Sequence, residues 1–371
     1  KRRHENSKDG QRLSPRPQHP AIHSAIDGRT NLYLLRCTST YLHKMSIPTI
    51  SLNRASQEEI ASSLREACIN VGFFYLEDHS IPQNLLDNVF TQSEQLFALP
   101  MEQKLEISDS VLTRGYTRFG EETLDPINQV RGDTKEGYYI GDEVDVQHMD
   151  PKRLKGPNVW PTPSSCSMTD EKCRLFRDTM ERYRGEAIRV CMELVRYFAI
   201  SLTSANGSNP HLFDEYFTEP STFIRLLHYS AEESTPSEGL YACGAHSDYG
   251  MLTLLLTDNN PGLQIQTKDG IWVDVPPKKG AFVVNIGDMF ERWTNGLFKS
   301  TIHRVITPKG AKERYSVPFF FEPNFDALVE CLDSCCNKDN PAKYPPITAG
   351  QHLLNMYAST HADFTASSTR K

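Results

Sequence analysis

Residues 244–255 read GAHSDYGMLTLL, and this stretch decides which fold the chain is expected to adopt. It places a histidine and an aspartate two positions apart, directly before an apolar run of β type. Side chains two apart on an extended segment face the same side, so His246 and Asp248 are expected to point together into a β structure. His303 follows 55 residues after Asp248, at the head of another β-type run that could close against the first. Two imidazoles and one carboxylate can occupy one face of an iron(II) ion and leave other positions open.

The sequence around this stretch consists of short β-type runs separated by Gly, Pro and Asn. These runs cover residues 223–229, 251–256, 263–266, 272–275, 281–286, 301–307 and 315–321. Such even spacing predicts a sandwich, a jelly roll or a barrel.

The part of the chain before residue 205 has mainly helical periodicity. Residues 56–59 form a capping box, Ile81-Pro82 opens a second helix, and residues 72–76 read as a buried strand. A long amphipathic helix is predicted from about residue 170 to residue 204, and its apolar stripe is interpreted as core packing. We therefore predict an α+β protein with a mainly β core.

Four regions are predicted along the chain. Residues 1–44 form a basic tail or a non-native segment, with nine Lys or Arg against three acidic residues. Residues 45–205 form the helical α+β region, residues 206–330 the β core, and residues 331–371 a C-terminal extension. A disordered tail, a transit peptide and translated upstream sequence remain as alternatives for residues 1–44.

A second chemical pattern follows the metal-ligand pattern. Arg314 and Ser316 lie two apart on a predicted strand, so their side chains face the same way. A guanidinium fork beside a hydroxyl is a good receptor for a carboxylate. A structural salt bridge is the usual role of an isolated arginine, but the position eleven residues after His303 favours the carboxylate role.

A second His-x-Asp pair, His361 and Asp363, competes with the first. It lies in a Ser- and Thr-rich tail, and no later histidine completes a set of three ligands. We therefore assign the metal to the first pair.

Composition restricts the partners. The net charge of −7 offers no general attraction for nucleic acid or anionic membranes, and no apolar run is long enough to span a bilayer. Nine cysteines without a paired CxxC cluster indicate reduced thiols. We expect a cytoplasmic monomer or weak homo-oligomer with a small-molecule substrate, and organellar import through residues 1–44 remains open.

The ordered set His246-x-Asp248, His303 and Arg314-x-Ser316 resembles the isopenicillin-N-synthase-like branch of the 2-oxoglutarate- and iron(II)-dependent oxygenases, which includes many plant and fungal small-molecule dioxygenases. The resemblance runs from Ile47 to about residue 330. Further matching segments are residues 47–50, 72–75, 78–82, 114–116, 133–136, 284–288 and 295–305. Asp78 and Ser80 depart from the usual Asn-His-Gly form at a turn.

This resemblance implies a double-stranded β-helix, a distorted jelly roll, flanked by helices. It implies Fe(II) held by His246, Asp248 and His303, with 2-oxoglutarate and O2 as co-substrates and ascorbate as a candidate reductant. Arg314, Ser316 and Tyr229 would bind the far carboxylate of 2-oxoglutarate, although Leu227 stands where many relatives have Asn. By family position, the substrate pocket would contain Arg114, Tyr116, Lys135, Arg225, Phe290 and Trp293.

The implied reaction is hydroxylation, or another oxidation, of a small metabolite with release of succinate and carbon dioxide. No catalytic residue beyond the metal ligands is nominated. Residues 120–126 and 132–141 resemble a fungal and plant subgroup that includes catabolic hydroxylases of nitrogen heterocycles. The alternatives are an oxidase of the same fold that uses no 2-oxoglutarate (an oxidative cyclase or the ethylene-forming type), a non-catalytic metal-binding protein, and a zinc hydrolase.

Overall fold

The computed structural model describes residues 46–109, 112, 114–203 and 207–360. The predictions for the basic tail and for the second His-x-Asp pair lie outside these residues. The helices are α1 (Gln57–Asn70), α2 (Gln83–Phe97), α3 (Met101–Leu105), α4 (Asp170–Thr203), α5 (Asp288–Trp293) and α6 (Ala349–Thr360). The first eight strands are β1 (Thr49–Ser51), β2 (Phe73–Glu77), β3 (Ser108–Asp109), β4 (Arg114–Thr117), β5 (Lys135–Ile140), β6 (Pro220–Tyr229), β7 (Cys243–His246) and β8 (Leu252–Thr257). The others are β9 (Leu263–Gln266), β10 (Trp272–Asp274), β11 (Phe282–Ile286), β12 (His303–Val305), β13 (Arg314–Asn324), β14 (Leu328–Val329) and β15 (Ile347–Thr348).

The predicted capping box begins α1. The Ser56 side chain accepts a hydrogen bond from the Glu59 backbone N–H, and the Glu59 side chain accepts one from the Ser56 backbone N–H. After α1 the chain turns through Gly72, whose φ is +74°. A Cβ at Gly72 would lie 2.2 Å from the Lys299 carbonyl oxygen, so the turn requires glycine. This turn directs the chain into β2.

A large sheet forms the first layer of the core. Its nine strands lie in the order β1-β2-β11-β8-β13-β6-β5-β4-β3. The long helix α4 packs against α1, α2 and β13. Its predicted apolar stripe is buried, as expected from its helical spacing: Phe176, Met180, Tyr183, Ala187, Val190, Leu194 and Phe198. The outer face of the large sheet is thus covered by helices.

A smaller sheet forms the second layer, with the order β10-β9-β12-β7. In its antiparallel β12–β7 pair, His303 lies opposite His246. Residues of both sheets line a common cavity, so the sheets face each other around an interior space. The predicted double-stranded β-helix is confirmed.

Two further observations concern the described residues as a whole. None of their helices is long and apolar enough to cross a membrane. All eight described cysteines are free thiols.

Candidate active site

The three residues of the predicted metal site lie together beside strands β7 and β12 of the small sheet. His246 ends β7, His303 begins β12, and Asp248 lies two residues after β7. The Asp248 Oδ1 atom is 3.8 Å from His246 Nε2 and 3.7 Å from His303 Nε2. Among the described residues, these three form the one group of His, Cys, Asp or Glu side chains with potential ligand atoms all within 4.8 Å of one another.

Backbone carbonyl groups fix the orientation of both imidazoles. The Nδ1 atom of His246 lies 2.9 Å from the Gly244 carbonyl oxygen, and that of His303 lies 3.1 Å from the Thr301 carbonyl oxygen. A carbonyl oxygen can only accept, so Nδ1 of each ring carries the proton. In the neutral ring with this tautomer, Nε2 carries the lone pair and faces Asp248, which is the form in which an imidazole binds a metal.

Two buried side chains orient the carboxylate of Asp248. Thr253 Oγ1 and Asn285 Nδ2 both donate hydrogen bonds to Asp248 Oδ2. Thr253 and Asn285 lie opposite each other in the β8–β11 pair, so the register of the large sheet brings both donors to one oxygen. Because Oδ2 is engaged in this way, Oδ1 is left to face the two imidazoles.

The segment that carries Asp248 is anchored to the start of α5. The Asp288 backbone N–H donates to the Asp248 carbonyl oxygen at 2.8 Å. The Asp288 carboxylate accepts hydrogen bonds from the Ser247 hydroxyl at 3.0 Å and the Ser300 hydroxyl at 2.6 Å. The segments before Asp248 and before His303 are therefore held by the same side chain.

Electrostatics in the cluster favour the ligand forms of its groups. Burial, reinforced by the neighbouring His246, lowers the pKa of His303 to about 4, although Asp248 acts in the opposite direction. Burial alone would raise the pKa of Asp248, but both histidines and its two hydrogen-bond donors hold it below its usual range. At neutral pH the cluster therefore offers a neutral His303 and an ionised Asp248. Two Nε2 lone pairs and one carboxylate oxygen around one point fit the donor set of an iron(II) facial triad.

A cavity leads from the metal cluster to Arg314 and Ser316. Arg314, Ser316 and Tyr229 line it together with His246, Asp248 and His303. Only 4% of Arg314 is exposed, and its Nε and Nη1 atoms are buried without a hydrogen-bond partner among the described residues. The guanidinium carbon lies 4.9 Å from the centre of the Tyr229 ring, and Arg314 faces Tyr229 in the β13–β6 pair. A buried cation with two unused donors is a receptor for an anion.

A second cavity extends from the other side of the cluster and offers about 550 Å³ of space, part of it open to solvent. Its walls are mostly apolar and aromatic, with a few polar groups. The lining residues include Leu124, Tyr139, Phe223, Arg225, Phe320, Glu322, Leu353 and Tyr357. A concave, largely apolar space with few polar groups is typical of a small-molecule site.

Two of the six predicted pocket residues line these cavities. Arg225 lines both, and Lys135 lines the cavity that contains Arg314. Both cations are also ion-paired: Arg225 binds Glu122, and Lys135 binds Glu122 at 3.1 Å and also Asp133. This buried network of two cations and two carboxylates has no net charge. Lys135 and Arg225 are thus both cavity-lining residues and members of a buried ion-pair network.

The other four predicted pocket residues line neither cavity. Arg114 donates hydrogen bonds to the carbonyl groups of Leu112 and Leu154, and Tyr116 donates one to Glu136. Phe290 and Trp293 lie on the buried side of α5 and pack against an aromatic cluster of the core. None of the four lines either cavity, and their part in a substrate pocket stays a prediction. The acids and tyrosines of the second cavity, Glu122, Tyr139, Tyr249, Glu322 and Tyr357, were not predicted from the sequence.

Comparison with known proteins gives the family. Residues 47–163 match a family model described as the N-terminal part of a non-haem dioxygenase in morphine synthesis, and residues 221–323 match the 2OG-Fe(II) oxygenase superfamily. Kihadalactone A synthase LFS of Citrus sinensis is 33% identical to the chain, over 92% of the chain and 97% of its own length. The chain belongs to the 2OG-Fe(II) oxygenase superfamily. A 2-oxoglutarate-Fe(II) type oxidoreductase of Emericella nidulans, hxnY, is 34% identical over 85% of the chain and 88% of its own length.

Solved structures of this superfamily have the same fold. A full-length Neurospora crassa protein in complex with alpha-KG (2-oxoglutarate) superposes with a TM-score of 0.74 at 30% identity, over 86% of this chain and 97% of its own. Another structure of that protein, with alpha-KG and thymine, gives a TM-score of 0.73 at 28% identity over 86% and 98% of the two chains. The present oxygenase is thus an Fe(II)- and 2-oxoglutarate-dependent dioxygenase that acts on a small molecule, which confirms the predicted enzyme class, cofactor and co-substrate.

Proposed function

We propose that His246, Asp248 and His303 hold the Fe(II) of this oxygenase, and that Arg314 binds the far carboxylate of 2-oxoglutarate with Ser316 and Tyr229. The reaction is hydroxylation of a small molecule bound in the second cavity. The observation that carries this proposal is the buried Arg314 guanidinium. Arg314 lines the cavity that begins at the metal cluster, and two of its nitrogen atoms have no partner among the described residues.

When bound, the iron supplies the activation of O2, coupled to oxidative decarboxylation of 2-oxoglutarate to succinate and carbon dioxide. The residues of the chain bind and orient the reactants. The fork of Arg314 suits a carboxylate, and the Ser316 hydroxyl on the same strand face adds a further donor. The Tyr229 ring closes the same end of the cavity, so the 2-oxo acid is directed with its keto end toward the metal cluster.

Every second side chain of β13, from Arg314 to Glu322, faces inward and lines one or both cavities. Arg314 and Ser316 lie at one end, Pro318 and Phe320 in the middle, and Glu322 at the other end. The co-substrate is therefore placed at one end of this row and the substrate at the other, with the metal cluster beside both. This separation lets a substrate approach the metal without taking a ligand position.

The substrate is proposed to be a small ring compound. Aromatic side chains line much of the second cavity, and flat rings pack well against such walls. The binding of thymine by the Neurospora relative supports a ligand of this size. The ion pair of Arg225 with Glu122 adds polar groups to the wall without adding net charge.

An oxidase of the same fold that uses no 2-oxoglutarate is the less favoured candidate. It would leave the two free nitrogen atoms of Arg314 without a partner during turnover.

A cytoplasmic location and a monomeric or weakly associated state complete the proposal. The free buried thiols of the described residues support a reducing compartment.

The proposal is tested by measuring succinate formation from 2-oxoglutarate in air, with and without Fe(II), in the presence of pooled small metabolites. Wild-type protein should form succinate only with Fe(II), and the rate should rise with a pool that contains the substrate. His246→Ala serves as the blank because it removes one ligand and leaves the fold intact. Iron-loaded wild-type protein that forms no succinate under any of these conditions would contradict the proposal.

A further inference from the structure

The second cavity contains a carboxyl group that the iron site does not use. Glu322 lies near the end of β13, is 4% exposed, and lines the cavity together with Arg225 and Tyr139. It lies eight residues beyond Arg314, roughly 26 Å along an extended strand. It is thus at the substrate end of the site, far from the proposed co-substrate receptor.

Glu322 has few protein partners for a buried acid. The Met251 backbone N–H donates to Oε2 at 3.1 Å, and no other described residue donates a hydrogen bond to this carboxyl. Its Oε1 atom lies against the backbone of Gly250, where a Cβ would come within 1.6 Å of it. The glycine makes room for the carboxyl group but offers it no donor. One oxygen of Glu322 is therefore left for a ligand.

The two cations of the ion-pair network beside this cavity do not neutralise Glu322. Arg225 is ion-paired with Glu122, and Lys135 with Glu122 and Asp133. A buried carboxylate without a counter-ion is costly, and burial accordingly raises the pKa of Glu322 to about 8. In the empty cavity at neutral pH, Glu322 therefore keeps its proton.

A basic nitrogen is the ligand group that suits such a carboxyl. The proton can remain on Glu322 and form O–H···N, or move to the nitrogen and form a charge-assisted O⁻···H–N⁺ pair. Neither arrangement leaves a buried charge uncompensated. An apolar ring edge would leave Oε1 unpaired, and a ligand carboxylate that accepted the Glu322 proton in a hydrogen bond would itself remain as a buried charge without a counter-ion.

We propose that Glu322 binds a basic nitrogen of the substrate, so that the substrate class is a small molecule with a heteroaromatic or amine nitrogen. This inference rests on the proposed function, because it assumes that the substrate occupies the second cavity beside the metal. The hydrogen bond to Glu322 fixes one end of the substrate, while the rings of Tyr139 and Phe223 pack against the substrate. The carbon that faces the metal is then selected by its distance from the nitrogen.

The test measures the affinity of matched probe pairs for the anaerobic enzyme loaded with Fe(II) and 2-oxoglutarate. One pair is 2-methylpyridine and toluene, and the other is benzylamine and benzyl alcohol, with dissociation constants from calorimetry. The proteins are the wild type, Glu322→Leu, Glu322→Gln and the control Glu219→Leu, which removes an exposed acid on the surface. Thermal unfolding establishes that each variant is folded, and Glu322→Gln keeps the size of the side chain if the leucine variant does not fold.

The basic member of at least one pair should bind the wild type and Glu219→Leu about tenfold to a hundredfold more tightly than the neutral member. This preference should disappear in Glu322→Leu. Glu322→Gln should keep most of this preference for a neutral heteroaromatic nitrogen and lose it for a protonated amine. The glutamine variant therefore distinguishes a heteroaromatic nitrogen from an amine nitrogen. Equal binding of both members, a preference that persists in Glu322→Leu, or no binding of any probe would overturn the inference. Failure of the 2-oxoglutarate complex itself to form would instead count against the proposed function on which it rests.

Discussion

Replacing Arg314 with methionine separates a binding role from a structural role. Two of its nitrogen atoms have no acceptor within the part of the chain that the structure describes, and the side chain is buried. A hydrogen bond to a charged partner contributes about 1.5–3 kcal/mol, so the loss of two such bonds removes about 3–6 kcal/mol of co-substrate binding. At about 1.4 kcal/mol per factor of ten, Arg314→Met should raise the Kd for 2-oxoglutarate about a hundredfold to ten-thousandfold.

The same substitution should not destabilise the protein in the absence of 2-oxoglutarate. Methionine replaces a buried cation whose donors are unsatisfied, which relieves a cost of about 1–3 kcal/mol per group. The lost contact of Arg314 with the Tyr229 ring is smaller, about 0.5–2 kcal/mol. The thermal unfolding temperature of Arg314→Met should therefore equal or exceed that of the wild type. Arg314→Met is therefore expected to weaken 2-oxoglutarate binding without lowering the stability of the protein.

The Kd for 2-oxoglutarate is measured by calorimetric titration of Fe(II)-loaded protein under anaerobic conditions. The unfolding temperature is measured by thermal unfolding of the same proteins without 2-oxoglutarate. Arg314→Lys keeps the charge but loses the planar fork, so it should show an intermediate loss of about tenfold. Arg153→Met, at a surface ion pair with Asp326, is the matched control and should bind normally. An unchanged Kd in Arg314→Met, or destabilisation by about 3–5 kcal/mol, would show that Arg314 belongs to an internal ion pair and refute the reasoning.

Three further predictions follow from the same contacts. Asn285→Leu removes a donor to Asp248 Oδ2 and should weaken Fe(II) affinity about tenfold to a hundredfold, measured by competition with a chelator; unchanged affinity would exclude the orienting role. Burial raises the pKa of Glu322 from an ordinary 4.5 to about 8 in the folded protein, so the free energy of unfolding of the wild type should fall as pH rises from 5 to 8. Urea unfolding across this pH range should show that Glu322→Gln lacks this pH dependence. The same pH dependence in both proteins would contradict the raised pKa of Glu322. Gly72→Ala should lower the free energy of unfolding by about 1–3 kcal/mol through its close approach to Lys299, and by more than Gly270→Ala, which has a positive φ but open space; equal effects would show that backbone strain alone matters.

The metal cluster was predictable because its elements are local patterns. A period of two places His246 and Asp248 near each other, and antiparallel pairing of β7 with β12 brings His303 opposite His246. Asp248 itself lies two residues after the end of β7. Its orientation comes from Thr253 and Asn285 across a strand pair, which the sequence does not reveal.

The substrate cavity was less predictable for a physical reason. Phe290 and Trp293 were assigned to the pocket by family position, which does not reveal what a side chain on a helix contacts, and α5 packs both rings into the core. Tyr357 reaches the cavity only because α6 returns against β13, a contact between distant elements. Glu322 did carry a signal, an acid within an apolar strand at even spacing from Arg314. That pattern indicates a buried acid directed into the same interior.

The most direct test of the central claim is the visible spectrum of the anaerobic complex. Fe(II) and 2-oxoglutarate added together to the wild-type protein should produce a weak charge-transfer band, which neither addition produces alone. His303→Ala should lose the band because it lacks an iron ligand, and Arg314→Met should recover it only at much higher 2-oxoglutarate. Absence of the band in wild-type protein with iron shown to be bound, or an undiminished band in His303→Ala, would contradict the account.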